Sequence, residues 1–379
     1  MAASAASSIT IVPLQPHDTT EFIKFPWRVY AGDHLWVPPL ILDRKAFLNP
    51  RKNPFFQHAQ MQLFLARQGD QTVGRIAAVI NTAHDQYHHE HAGFFGLFEC
   101  LPEAETAAIA LLDAAAAWVR ERSATFLRGP VNLSMNELDV GILIEGFGAS
   151  AVFQSAYNPP YYATFIEAAG LTKCKDLLAF YRHYYPLPSS RVQEAIARRQ
   201  ARRNVTVRHA NMRDFTADVK RIVDIFNDAW SDNWGFVPVT EAEAQHMAKE
   251  LKLAVVPELT FIAELDGEPV GCFLALPDLN QGFRHMNGHL TPWGLLRFFL
   301  TRRRIDTIRI ALTGVKKRYR RLGIDLLLYS ELWKQAAKRG ILHGEAAWLL
   351  EDNTMIIRAM EALGAMPYKR YRLYQKSLV

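Results

Sequence analysis

Cysteine is scarce in this 379-residue chain, and the three present, Cys100, Cys174 and Cys272, are scattered without metal-ligand or redox spacing. That excludes a disulfide framework and fits a reducing compartment. No uninterrupted apolar run of about eighteen residues occurs, so no membrane-spanning helix is expected. The opening Met1-Ala-Ala-Ser-Ala-Ala-Ser-Ser has neither a basic start nor an apolar core, and no secretory signal is expected there. A cytoplasmic location follows as the expectation. Low-complexity composition is absent as well: 49% hydrophobic and 22% charged residues are globular values, and the length suits two domains.

Acidic residues are outnumbered, 38 against 44 lysines and arginines, for a net charge of +6 and a pI near 9.1. Such a balance fits an anionic partner. The positive charge gathers at Arg191, Arg198, Arg199, Arg202 and Arg203, and again from Arg302–Arg304 through Arg309 to Lys316–Arg321. No nucleic-acid motif accompanies either cluster, so nucleic acid is not expected as a partner.

The most informative stretch is Val315-Lys-Lys-Arg-Tyr-Arg-Arg-Leu-Gly-Ile-Asp325. It joins an expected apolar strand, Ile308 to Thr313, to an expected helix, Ile324 to Lys338. A strand, a basic turn with one glycine and a helix start together form a phosphate-holding device. Free backbone N–H groups converge at the helix N-terminus, and the helix dipole adds to their pull on an anion. Gly323 permits close approach of the backbone, while Arg318, Arg320 and Arg321 bring mobile positive charge.

The spacing Arg320-x-x-Gly323-x-Asp325 resembles the Arg/Gln-x-x-Gly-x-Gly/Ala pyrophosphate loop of the GCN5-related N-acetyltransferase superfamily. Downstream, an expected strand from His343 to Leu350 ends in Glu351-Asp352-Asn353, followed by a helix from Met355 to Leu363 and a strand from Tyr368 to Lys376. The resemblance implies an acyl-CoA or acetyl-CoA co-substrate and no metal. It places Leu312, Thr313, Gly314, Val315, Arg318, Arg320, Arg321, Leu322, Gly323, Ile324 and Asp325 around the coenzyme, with Asn353 near its pantetheine arm. Two positions depart from the pattern. Asp325 stands where a small residue is usual and should point away from a diphosphate, and Met360 stands where a tyrosine acid is common.

The fold class expected is α/β with a mixed sheet, in two tandem GNAT-like acyl-CoA N-acyltransferase domains. The first half shows strands at Gln62–Ala66, Thr72–Ile80, Phe94–Glu99 and Phe126–Arg128, an alanine-rich helix at Ala104–Arg122, and a closing strand at Lys175–Tyr184. The second half repeats that order from Val205, with a helix at Phe215–Trp230 and a hairpin from Leu259 to Ala275. The expected division is residues 1–186, a basic linker 187–204, and 205–379. At the loop position the first copy has Leu101-Pro-Glu-Ala-Glu105, whose carboxylates would repel a diphosphate, so it reads as degenerate.

The whole chain resembles a bacterial group of tandem acetyltransferase-fold proteins, to which bacterial ceramide synthases look similar. The carrying segments are Phe25-Pro-Trp-Arg-Val-Tyr30, Leu35-Trp-Val-Pro-Pro39, Gly93-Phe-Phe-Gly-Leu-Phe-Glu99, Gly129-Pro-Val-Asn132 and Trp348-Leu-Leu-Glu-Asp-Asn353. The resemblance implies direct attack of a primary amine on a CoA thioester, the amine belonging to a long-chain sphingoid base. Two alternatives stay open at this stage: acetyl transfer to a small polar amine, and a non-catalytic membrane- or partner-binding protein.

An ammonium must lose its proton before attack, and a carboxylate can accept it. Glu345 and Glu351 are the candidate bases, with a salt bridge or loop cap as the alternative for each; Asp352 reads as a helix cap. Tyr319 is the candidate acid, with Tyr368, Tyr371 and Tyr374 equally readable as sheet-face aromatics. For an acceptor pocket the candidates are Asn132, Asn136, Tyr157, Asn158 and Tyr161, which turn chemistry would also explain. His84, His88, His89 and His91 read as a mobile polar segment rather than a metal site. Pro292 to Arg304, with Trp293 and Phe298, pairs a bulky apolar body with trailing arginines. That pattern fits peripheral contact with the inner face of the cytoplasmic membrane or a lipid channel, and equally a core helix with a basic end.

Overall fold

The computed structural model describes residues 8–183, 194, 204–252 and 254–379. The strands are β1 (Ile9–Pro13), β2 (Ala59–Gln68), β3 (Gln71–Asn81), β4 (Ala92–Cys100), β5 (Phe126–Gly129), β6 (Ile142–Glu145) and β7 (Thr172–His183), followed by β8 (Val205–His209), β9 (Thr260–Leu265), β10 (Glu268–Pro277), β11 (Thr307–Val315), β12 (His343–Leu350) and β13 (Met366–Ser377). The mixed α/β class is the one expected.

Two compact units form, and neither is one contiguous stretch. Unit 1 takes the chain up to Leu177 with Met286–Gly294 and Lys369–Val379; unit 2 takes Leu178–His285 and Leu295–Tyr368. The units therefore cross the chain-order division at 186 and 205, because β7 and β13 each contribute residues to both. The basic linker 187–204 and its arginine cluster lie outside the described residues, apart from Glu194 and Asn204.

In unit 1, β1 to β4 pair antiparallel in sequence order, and β5 lies parallel to β4. Strand alternation sorts the side chains. Phe64, Ala66, Ile76 and Ala78 face the helix Glu105–Arg120, while Leu63, Leu65 and Ala77 pack against Phe22 and Ile23 of the N-terminal helices. Alanine at 107, 108, 115 and 116 keeps the long helix close to the sheet, and all four are buried.

The parallel β4–β5 ladder covers only Ala92–Phe94 against Phe126–Arg128. Beyond it the strands part, and the chain fills the gap with its own next residues. The Val131 N–H donates to Phe95 O at 2.7 Å, and Asn132 Oδ1 accepts from the Leu97 N–H at 2.8 Å. Gly96 admits this approach, since a Cβ there would sit 2.1 Å from Val131 O.

The segment Ala83–Ala92 corrects the expectation of a mobile polar loop. Asn81 Oδ1 accepts from Ala83 N and His84 N, and starts a helix from Thr82 to His88. His84 is buried against Phe94, with its Nε2 2.8 Å from Glu90. Period alone missed this short helix, because its polar residues mask the one buried ring.

In unit 2, β8, β9, β10 and β11 are antiparallel neighbours, and β12 runs parallel to β11. The helices Ile324–Arg339 and Thr354–Ala362 cover one face through Leu328, Leu332, Trp333 and Met360. The helix Phe215–Ala229 contributes Ile222 and Ile225 to a separate cluster with Ile262 and Cys272. Each expected strand and helix of this half is present, with bounds within about two residues.

Two outcomes follow for unit 1. Gly96→Ala should lose about 2–3 kcal/mol, because backbone rather than a pliable side chain meets the added methyl; chemical denaturation with circular dichroism would register it as a lowered midpoint. Burial also pushes His84 down to about 4 from 6.5. The unfolded state therefore binds the extra proton between those values, so the stability of neutral His84 is complete above pH 6.5 and is lost as pH falls towards 4. Denaturation midpoints of the native chain and His84→Gln, compared from pH 7 to 4, should converge as pH drops.

Candidate functional site

The β11–β12 ladder also stops early. It joins Thr307–Ile310 to His343–Ala346 and goes no further, although β11 continues to Val315 and β12 to Leu350. β11 stays on β10, where Leu274, Phe273, Cys272 and Gly271 meet Leu312, Thr313, Gly314 and Val315. A register shift opposite Leu274 and Ala275 leaves Ala311 as an extra residue, and such a bulge bends a strand and re-aims its main chain. Above Ile310 and Ala346 the two parallel strands thus part, leaving one edge of residues 311–315 without a neighbouring strand.

The helix Phe215–Ala229 braces this edge. Gly314 carries no side chain where Ala229 passes, since a Cβ there would lie 3.1 Å from the Ala229 methyl, and Trp230 Nε1 donates to Thr313 O at 3.1 Å. In unit 1 the matching gap is closed by Val131 and Asn132. In unit 2 no described main chain fills it.

The basic loop begins where β11 ends. Gly323, at φ +76°, is the N-cap of Ile324–Arg339, and no side chain caps that helix. Its first N–H groups are thus available to an anion, with the dipole behind them. Arg320 donates to Ala229 O at 2.6 Å, and the Lys317 N–H donates to Asp228 Oδ1 at 2.6 Å. Lys317 also pairs with Asp232 at 2.7 Å, a contact that lowers the Asp232 pKa. Arg318 and Lys316 both pair with Glu268. Arg321 is exposed, at φ +69°. Asp325 is exposed in the first turn, where an acidic side chain suits the helix dipole and solvent takes its charge.

The structure distributes the remaining candidates unevenly. Glu345 is fully buried and register-paired with Arg309, whose Nε lies 3.8 Å from Glu345 Oε1. The Tyr368 hydroxyl also donates to Glu345. Arg309 thus leaves the surface cluster to which sequence proximity assigned it; it is 1% exposed. A charged residue between Ile308 and Ile310 was the available signal, since arginine inside an apolar strand requires a buried partner. Tyr319 donates to Glu268 Oε2 at 2.6 Å, and that bond raises its pKa, so its proton is held away from the gap's edge. Glu351 occupies the turn after β12. Asn353, rather than Asp352, caps the helix Thr354–Ala362, accepting from the Ile356 N–H at 3.4 Å.

The unit 1 candidates are occupied by their own unit. Asn132 Nδ2 donates to Asp139 O at 3.0 Å, besides the bond to Leu97. Asn158 is buried, accepts from the Leu143 N–H at 2.6 Å and donates to Pro159 O. Tyr157 donates to Asp33 Oδ2 at 2.6 Å and Tyr161 to Cys100 O at 2.8 Å. The Asn136 N–H donates to Ser134 Oγ at 3.1 Å. Turn and loop chemistry therefore accounts for these polar contacts. Phe298 stacks on Phe283, with ring centroids 5.1 Å apart, while Trp293 projects to solvent. Trp230 was not anticipated; nothing in its local pattern separates it from a helix-end core aromatic.

No family model matches the chain. Among curated proteins it is 37% identical over 371 residues to Protein YghO of Escherichia coli (strain K12), covering 96% of this chain and 94% of that one. It is 34% identical over 389 residues to the bacterial ceramide synthase of Caulobacter vibrioides, covering 99% of each. Among solved structures, a tandem GNAT protein from the clavulanic acid biosynthesis pathway superposes with a TM-score of 0.57, covering 98% of this chain and 99% of that one at 13% identity. That identity speaks for fold alone, whereas the two full-length relatives carry the family. The chain belongs to the bacterial family that holds the Caulobacter ceramide synthase and YghO, and it shares its fold with the tandem GNAT protein.

Proposed function

We propose that this protein is an acyl-CoA-dependent N-acyltransferase whose acceptor is the primary amine of a long-chain sphingoid base. The observation that carries the enzymatic part is the open edge of β11 at residues 311–315, ending in the uncapped helix start at Gly323. Support for the lipid acceptor is the 34% identity, over 99% of both chains, to a protein named bacterial ceramide synthase. Such an acceptor resides in a bilayer, so peripheral contact with the inner face of the cytoplasmic membrane belongs to the same reading.

The residues fit a CoA thioester. N–H groups at Gly323–Leu326, with Arg320 and Arg321, would hold the diphosphate, and the parted edge of β11 would take the pantetheine amides by strand-like hydrogen bonds. Exposed ion pairs such as Arg318–Glu268 are weak, so a diphosphate can draw those cations over. The amine nitrogen attacks the thioester carbonyl, the C–N bond forms as the C–S bond breaks, and CoA leaves as the thiolate. Oxygen charge developing on the carbonyl is met by N–H groups between Leu312 and Val315. We assign the amine's proton to Glu345, which lies one rung below the point where the strands part. Arg309 pairs with that carboxylate, and the Tyr368 hydroxyl donates to it and fixes its position. With methionine at 360, no side chain there can protonate the thiolate, which a CoA leaving group tolerates in water.

Thiol release from acyl-CoAs of graded chain length, with sphinganine as acceptor, tests the reading. Long-chain donors should turn over; equal turnover of acetyl-CoA with short polar amines would remove the lipid acceptor, and no turnover with any amine would remove the enzyme. Arg320→Ala combined with Arg321→Ala should raise KM for acyl-CoA by about 100-fold, from roughly 1.5 kcal/mol, or about tenfold, per charge-assisted bond. Glu345→Gln should lower kcat by about 100-fold or more while saturable CoA binding survives. Loss of CoA binding in that variant would instead mark Glu345 as part of the fold alone.

A further inference from the structure

The helix Pro292–Arg302 presents to solvent the side chains that a soluble protein normally covers. Leu290, Trp293, Leu296, Phe299 and Leu300 are 49, 77, 50, 56 and 59% exposed. At 100° per residue, positions 293, 296, 299 and 300 fall within one arc of about 120°. The opposite side is the packed one: Gly294 is buried against Met286, and Phe298 lies over Gly282 and Phe283. The apolar face is thus displayed by the way the helix is fastened, and fraying does not explain it. A patch of this size marks an interaction surface.

Charge identifies the occupant. Between Asp278 and Asp306 the chain has no acidic residue, but it has Arg284, Arg297, Arg302, Arg303 and Arg304. Arg297 borders the apolar arc, and the other three of the last four follow at its C-terminal end. A second copy of this chain, joined about a two-fold axis, would set one arginine cluster against another. An anionic bilayer surface satisfies both halves of the pattern, with indole and alkyl groups among the acyl chains and guanidinium groups at the phosphates.

We infer that Pro292–Arg302 is an in-plane docking helix for anionic membrane surfaces, with Trp293, Leu296, Phe299 and Leu300 inserted at the headgroup boundary and Arg302–Arg304 reading lipid phosphate. This deepens the lipid-acceptor reading, but it is tested with neither donor nor acceptor present, so either can fail alone.

The experiment is cosedimentation of the full-length protein with phosphatidylcholine vesicles, with and without phosphatidylglycerol. Binding should require phosphatidylglycerol and weaken at high salt. Arg302→Glu with Arg303→Glu and Arg304→Glu should reduce it by about 100-fold, taking roughly fivefold per arginine. Leu296→Glu with Leu300→Glu should reduce it at least tenfold, with circular dichroism unchanged because both positions are exposed. Quenching of Trp293 emission by brominated lipid, absent in Trp293→Phe, should accompany binding. Equal binding to both vesicle types, binding indifferent to these substitutions, or a vesicle-independent dimer that Leu296→Glu with Leu300→Glu dissolves would overturn the inference. Binding without any acyl transfer would leave it standing and remove the proposed reaction.

Discussion

The feature on which unit 2 depends is the parting of β11 from β12 above the rung of Ile310 and Ala346. A parallel ladder that ran to the end of both strands would consume the main-chain groups of residues 311–315. Instead β11 remains bonded to β10, bulges at Ala311, and offers its other edge. The price is unpaired backbone, which is costly wherever water cannot reach it. The structure limits that cost with neighbours on both sides: Trp230 takes one carbonyl, Gly314 lets Ala229 press close, and the helix after Gly323 begins where the strand ends.

The two units show the same device with opposite outcomes. In unit 1 the β4–β5 ladder also ends after three residues, but Val131 and Asn132 turn back into the gap and bond Phe95 and Leu97. Gly96 exists at that point because main chain lies where a side chain would be. The unit 1 gap is thus satisfied by its own polypeptide, and Glu103 and Glu105 stand at the following helix start. The difference between the two gaps rests on a few hydrogen bonds rather than on a change of fold.

Electrostatics divides in a similar way. Around the basic loop the ion pairs are exposed, shared and replaceable, with Glu268 and Asp232 holding lysine and arginine that an anion can claim. Arg309 and Glu345 are the reverse: both fully buried, and joined by Tyr368. A buried pair of this kind contributes little net stability and is sensitive to loss of either partner, which suits a position held for placement.

Much of the fold was legible in order of residues. Strand periodicity located β2, β3, β4 and β9 to β13, glycine and charge located the loop at 315–325, and the repeated element order announced two similar halves. These are local properties, fixed by which side chains alternate and which residues break a helix. Short helices such as Thr82–His88 and Thr20–Lys24 were hidden, because the first is held by the single cap Asn81 and the second by its own two buried side chains, Phe22 and Ile23, too few to make a period. Only tertiary structure decided that Arg309 belongs to Glu345 and not to a surface cluster. It also decided that Tyr319 is committed to Glu268, that Asn132 and Asn158 serve their own loops, and that Trp293 faces outward while Phe298 does not. The physical reason is the same for each: a side chain's chemistry is set by its partner, and folding brings these partners together across separations of up to 51 residues.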